Sequence, residues 1–349
     1  MMPKSTLELR RLLHALPKVD LHRHLEGSLR LETLAEIAEE HGIDLPSYNL
    51  EQLRPYVQFT DEEPGFHRFL EKFKLLRRFY TTREAVRRVA YEAVVDAAKD
   101  NVKYLELRFS PSALAHAQRF PLHEVTEWVI EAVEQAQQET GMLARLLCAV
   151  VRHDSYDLAQ EVIEVAIAYR DRGIVGVDLA GDEVHYPAAP FAPLFKRAAD
   201  HGLGITIHAG EASGAANVRE AVEILHAERI GHGIRSIEDA NVVRLLRQNN
   251  VTLEVCPTSN LQTGAVDNFG LHPLRDLYVL GVNVTINTDD PSVSDTSLTD
   301  EYVVAMLGLG VSLRDVRRCT RNSIRAAFLP PEVKRQLEES ILTEFDAWL

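Results

Sequence analysis

The chain has 349 residues, 46% of them hydrophobic, and 38 Lys+Arg against 52 Asp+Glu give a formal net charge of −14. That is enough apolar material for a large core, and the carboxylate excess, with no basic patch of interleaved aromatics, excludes nucleic acid as a partner. Met1 to Asp20 is broken by Pro3, Lys4, Glu8, Arg10, Arg11 and Lys18, no apolar run is long enough to span a membrane, and Cys148, Cys256 and Cys319 form no C-x-x-C pair. A cytoplasmic protein with no membrane partner, disulfide framework or thiolate zinc site is expected.

Eight short apolar runs read as strands: Val19–His22, Val102–Phe109, Leu143–Val151, Val175–Leu179, Gly204–His208, Arg229–Gly231, Val251–Val255 and Val282–Asn287. Segments with apolar residues at helical spacing lie between them, such as Thr82 to Asp100 and Leu122 to Thr140. Alternating strand and helix implies a parallel sheet, and runs as uniformly apolar as "ARLLCAVV" imply cover on both faces. Eight such units predict an α/β fold of the (β/α)8 TIM-barrel type, as a single barrel domain over 1–349. An open doubly wound sheet is the alternative, but no G-x-G-x-x-G turn follows any run, which argues against a dinucleotide-binding version.

The stretch after the first run carries two further helical segments, "LRLETLAEIAEEHGI" and "EPGFHRFLEKFKLLRRFY", and is long for one crossover. Such insertions at the C-terminal face of a barrel form lids and substrate walls. Three more helices follow the eighth run, one opening on a Ser312-x-x-Asp315 capping box and one on Pro330-Pro331.

Barrel chemistry sits at the C-terminal strand ends, and five are loaded: His22-x-His24-x-Glu26-Gly27, "DLAGDE" (Asp178–Glu183), "HAGE" (His208–Glu211), "GHG" (Gly231–Gly233) and "NTDDP" (Asn287–Pro291). Side chains two apart on a strand share a side, so His22 and His24 converge as two metal ligands would. Each element has an ordinary reading as well. His-x-His can be a solvated strand end, His208 and His232 core histidines, and Asp289-Asp290-Pro291 a turn. Those readings combine poorly, because 14 histidines scattered over 349 positions would rarely put four at the ends of three strands of one sheet.

"LHRHLEG", "DLAGDE", "HAGE", "RIGHG", "CPTSN" and "NTDDPS", in this order and spacing, resemble the adenosine deaminase family of the amidohydrolase superfamily, and the resemblance spans nearly the whole chain. It implies hydrolytic deamination of adenosine or 2′-deoxyadenosine to inosine or deoxyinosine and ammonia, in purine salvage, with a nucleoside and water as the small-molecule partners. It also implies one Zn²⁺ held by His22, His24, His208 and Asp289, since "DLAGDE" offers no lysine to bridge a second metal. Glu211 is then the proton shuttle to purine N1, His232 supports the attacking water, and Asp289 both holds metal and accepts a hydrogen bond from that water. Asp290 faces N7, the Gly181 amide reaches N3, and His24 and Glu26 meet the ribose. Glu26 is one methylene longer than the aspartate many adenosine deaminases carry there. Deaminases of adenine, aminodeoxyfutalosine or methylthioadenosine therefore stay open as alternatives, as does, remotely, an inactive nucleoside-binding protein.

Overall fold

Strands buried on both faces need a layer of helices outside them, and the computed structural model, which describes residues 5–348, has that arrangement. β1 (Lys18–His24), β2 (Val102–Phe109), β3 (Leu143–Val151), β4 (Ile174–Ala180), β5 (Gly204–Ala209), β6 (Arg229–His232), β7 (Thr252–Val255) and β8 (Asn283–Ile286) form one parallel sheet in sequence order. All eight predicted runs are therefore strands, displaced by only a few residues at their ends. Closure comes just past β8, where the His24 amide donates to the Asp289 carbonyl and the Asp289 amide to the His22 carbonyl, both at 2.8 Å. The bonds that close the barrel thus pin the two histidines and the aspartate against each other.

Outside the barrel, helices Arg83–Lys99 and Leu122–Thr140 bury Val86, Val89, Val125 and Val129 in the main core. The capping box is formed, with Ser312 and Asp315 bonding each other's backbone amides at the start of Leu313–Ala326, which packs across β8 and β1. The insertion after β1 holds the two expected helices, Leu31–His41 and Phe66–Leu76, and between them one that was not expected, Leu50–Val57. Pro55 lies inside that helix, which masks it from pattern reading.

The barrel interior is charged. Tyr104, Glu106 and Arg108 share one face of β2, and Arg108 donates to Asp178 on β4 at 2.9 Å and to Glu254 on β7 at 2.7 Å. Those strands are not neighbours of β2, so the contacts cross the lumen. Arg229 joins Glu106 and Glu254 at 2.6 Å each, completing a buried chain of alternating charge. Phe328 sits against it, 3.7 Å from ring centroid to the Arg229 guanidinium carbon. Unpaired, any of these charges would be costly to bury; in alternation each is neutralised.

Candidate active site

At the C-terminal rim the predicted residues come together. His22 Nε2 lies 3.1 Å and His24 Nε2 3.3 Å from Asp289 Oδ1, and the Nε2 atoms of His24 and His208 face each other at 3.2 Å. Asp289 and His232 hold left-handed backbone, φ +62 and +58, which is uncommon outside glycine and is where strained functional residues cluster.

The far side of each ring sets its protonation. His22 Nδ1 donates to Glu254 Oε2 at 2.8 Å and His208 Nδ1 to Asp178 Oδ2 at 2.9 Å. Burial alone would raise these two carboxyls, but Arg108 and Arg229 hold Glu254, and His208 and Arg108 hold Asp178, well below the usual carboxylate range. They are therefore acceptors that take the Nδ1 proton of each ring, which leaves Nε2 as the atom each ring offers to the cluster with Asp289. His22 Nε2 is fully buried with no hydrogen-bond partner. An orphaned imidazole nitrogen, a second imidazole pair face to face and a carboxylate around one space fit a divalent cation, and Nε2/carboxylate donors suit zinc. Atoms of His22, His208, His232 and Asp289 able to bind a metal lie within 4.8 Å of one another.

Above this cluster is a cavity of ≈ 260 Å³. Its floor carries His24, Glu26, Gly181, Glu211, Asp290 and their neighbours, and Phe66, Phe69 and Phe73 of helix Phe66–Leu76 form an apolar wall. The insertion after β1 is thus a wall of the pocket. Burial, then the charges of Asp289 and Glu183, raise the Glu211 carboxyl well above its ordinary range. Asp290 is raised in the same way, by burial first and then by Asp289, Glu26 and Glu211. Burial pushes Glu26 up to about 7. Glu26 Oε1 accepts the Ser110 amide at 2.7 Å, whereas Glu26 Oε2 and Asp290 Oδ1 are buried without partners at the cavity. A Cβ on residue 27 would fall 1.9 Å from Asp290 Oδ1, so only glycine lets that carboxyl approach. Gly181, at φ +96, also lines the cavity.

Sequence reasoning missed a supporting layer. Asp178, Glu254 and Arg108, to which no role was assigned, orient the histidines, and their signal was a charge inside a run that reads as a buried strand. Glu183, the last residue of "DLAGDE", is the other residue to which no role was assigned. Its carboxylate accepts the amides of Gly210, Glu211, Ala212 and Ser213 at 2.7 to 2.9 Å, and Asn217 Nδ2 at 3.2 Å, so it anchors the loop that aims Glu211. In Glu183→Gln the amide group would face those N–H donors, and kcat is expected to fall about 10²-fold, as for a misplacement near 1 Å. Steady-state rates at wild-type metal content check this; an unchanged kcat would show that the loop holds itself.

A parallel (β/α)8 barrel that gathers histidines and an aspartate at its C-terminal rim, beside a buried carboxyl raised above its ordinary range, defines a hydrolase of the amidohydrolase superfamily. The profile of the adenosine deaminase family matches residues 17–344. The chain is 39% identical over 326 residues to an adenosine deaminase of Shigella flexneri serotype 5b, covering 93% of this chain and 98% of the relative. Its fold is similar to that of an adenine deaminase from Arthrobacter aurescens, with a TM-score of 0.87, 32% identity and coverage of 95% and 99% of the two chains. It is also similar to that of an N6-methyl-AMP deaminase from Arabidopsis thaliana, with a TM-score of 0.83, 29% identity and coverage of 97% and 98%. The chain belongs to the adenosine deaminase family.

Proposed function

We propose that this chain hydrolyses adenosine and 2′-deoxyadenosine to inosine and deoxyinosine with release of ammonia, using one Zn²⁺ per chain. The observation that carries this reading is the convergence of the Nε2 atoms of His22, His24 and His208 and the Asp289 carboxylate beneath a cavity that Glu211 lines. These four residues are the metal ligands. Zn²⁺, when bound, supplies Lewis acidity that lowers the pKa of water from about 15.7 to about 7. Asp289, as an acceptor, and His232, through a ring nitrogen 3.5 Å from Glu211 Oε2, orient the attacking water at purine C6. Glu211 gives its proton to N1 as the C6–O bond forms, so the ring nitrogen never carries a full negative charge. It then recovers a proton from the added oxygen and passes it to the amino group; as the C6–N bond breaks and ammonia leaves, the last proton on that oxygen returns to Glu211 and the C6=O bond forms.

Binding uses groups that line the cavity. Asp290, protonated, donates to N7, the Gly181 amide donates to N3, and His24 and Glu26 meet the sugar. The phenylalanine wall covers the purine face. Three buried, unpaired cysteines suit a reducing cytoplasm, and no helix among the described residues is long and apolar enough to cross a membrane.

A second reading follows from Glu26, whose longer side chain, half committed to Ser110, occupies the sugar end of the site. Steady-state comparison of adenosine, adenine, aminodeoxyfutalosine, methylthioadenosine and N6-methyl-AMP on enzyme of measured zinc content decides between them. Adenosine or deoxyadenosine is expected to show the highest kcat/KM. A clear preference for any other substrate overturns the assignment, and chelation should abolish all turnover and zinc should restore it.

A further inference from the structure

The motif "CPTSN" has no role in the mechanism above, yet its last residue lies directly behind His232. Asn260, on helix Pro257–Gln262, is fully buried, and its Nδ2 is 3.1 Å from His232 Nδ1. Its Oδ1 is 3.2 Å from Nε2 of His272, another buried residue, and His272 Nδ1 accepts the backbone amide of Leu274 at 3.1 Å. A backbone N–H can only donate, and that fixes every later polarity. His272, which burial lowers to about 4, is neutral; its Nδ1 accepts, so its Nε2 carries the proton and donates to Asn260 Oδ1. The Asn260 amide must then turn its NH2 to His232, whose Nδ1 accepts. His232 is left with its only proton on Nε2, the atom 3.5 Å from Glu211 Oε2 and 3.9 Å from Asp289 Oδ2.

We propose that Leu274 N–H, His272 and Asn260 form a polarity relay that locks His232 in the Nε2–H tautomer, making Asn260 and His272 positioning residues for catalysis. His22 and His208 have carboxylates behind them and turn lone pairs to the centre. His232 has an amide donor behind it and turns a proton to the centre. The difference sorts rings that are equally close to one space into metal ligands and a hydrogen-bond donor. A ring with its proton on Nε2 cannot ligate through that atom, and the amide occupies the other.

The inference rests on the reading of His232 as a donor to the attacking water. Its direct test is the tautomer itself, in ¹⁵N-histidine-labelled, zinc-loaded enzyme, by long-range ¹H–¹⁵N correlation, with His232 assigned by its disappearance in His232→Gln. Nε2–H is the expected result for His232 and Nδ1–H for His22 and His208; Nδ1–H at His232 overturns the relay. In Asn260→Asp a carboxylate acceptor replaces the donor and draws the His232 proton to Nδ1, so kcat should fall by at least about 10²-fold, the scale of losing one aimed donor, with KM and zinc content unchanged. His272→Gln, whose amide still donates to Asn260, keeps the tautomer and most of kcat. A folded, zinc-replete Asn260→Asp enzyme with wild-type kcat, or loss of the Nε2–H signal in His272→Gln, overturns it. The spectrum does not depend on which purine is turned over, so failure here and failure of the substrate panel are separate results.

Discussion

Glu211→Gln is expected to lower kcat by about 10²–10⁴-fold, the usual contribution of a positioned general acid, while the enzyme keeps its metal. Glutamine matches the shape of the side chain and stays on the loop that Glu183 anchors by its backbone, so the loop need not move. What is lost is a transferable proton. Burial, together with the nearby Asp289 and Glu183 charges, holds that proton on Glu211, and an amide cannot release one to N1. Metal analysis and single-turnover rates on the same preparation check the result. Zinc-replete variant enzyme with a near wild-type rate would refute the role, whereas a parallel loss of zinc would make Glu211 part of the metal's support.

Arg108→Leu should cost about 3–5 kcal/mol of stability, the scale of breaking a buried ion pair from one side. Arg108 donates to Asp178, to Glu254 and to the Leu21 carbonyl at 2.7 to 2.9 Å, and all three charged side chains are fully buried. Removing the guanidinium leaves two carboxylates facing each other across the lumen, short of one neutralising charge. They must bind protons or admit water. A protonated Asp178 or Glu254 no longer requires a proton on the Nδ1 of His208 or His22, so zinc affinity should fall as well. Denaturant unfolding of the metal-free and zinc-loaded proteins separates the two effects. A loss below about 1 kcal/mol, the scale of an exposed pair, would show that water already reaches the column.

Much of this centre was legible in the linear chain because barrel sites are built from strand ends, and a strand end is a local feature. His22 and His24 share a side through the two-residue repeat of β1. His208 and His232 close apolar runs, and Asp289-Asp290 follows another. The helix Leu50–Val57 was hidden because Pro55 violates the local pattern and tertiary packing overrides it. Glu254 and Arg108 were visible as charges in buried strands, but their partners were not, since β2 meets β4 and β7 only through the barrel lumen.

The sequence by itself determined the eight alternating units, the loaded strand ends and the residue types able to bind a metal and move a proton, because periodicity and residue chemistry are properties of short segments. Only the tertiary structure decided which ring nitrogen of His22, His208 and His232 carries the proton. That depends on groups from distant strands and helices: Glu254 behind His22, Asp178 behind His208, and Asn260 and His272 behind His232. No spacing in the chain encodes a tautomer, because hydrogen-bond polarity passes through space from one donor to the next acceptor.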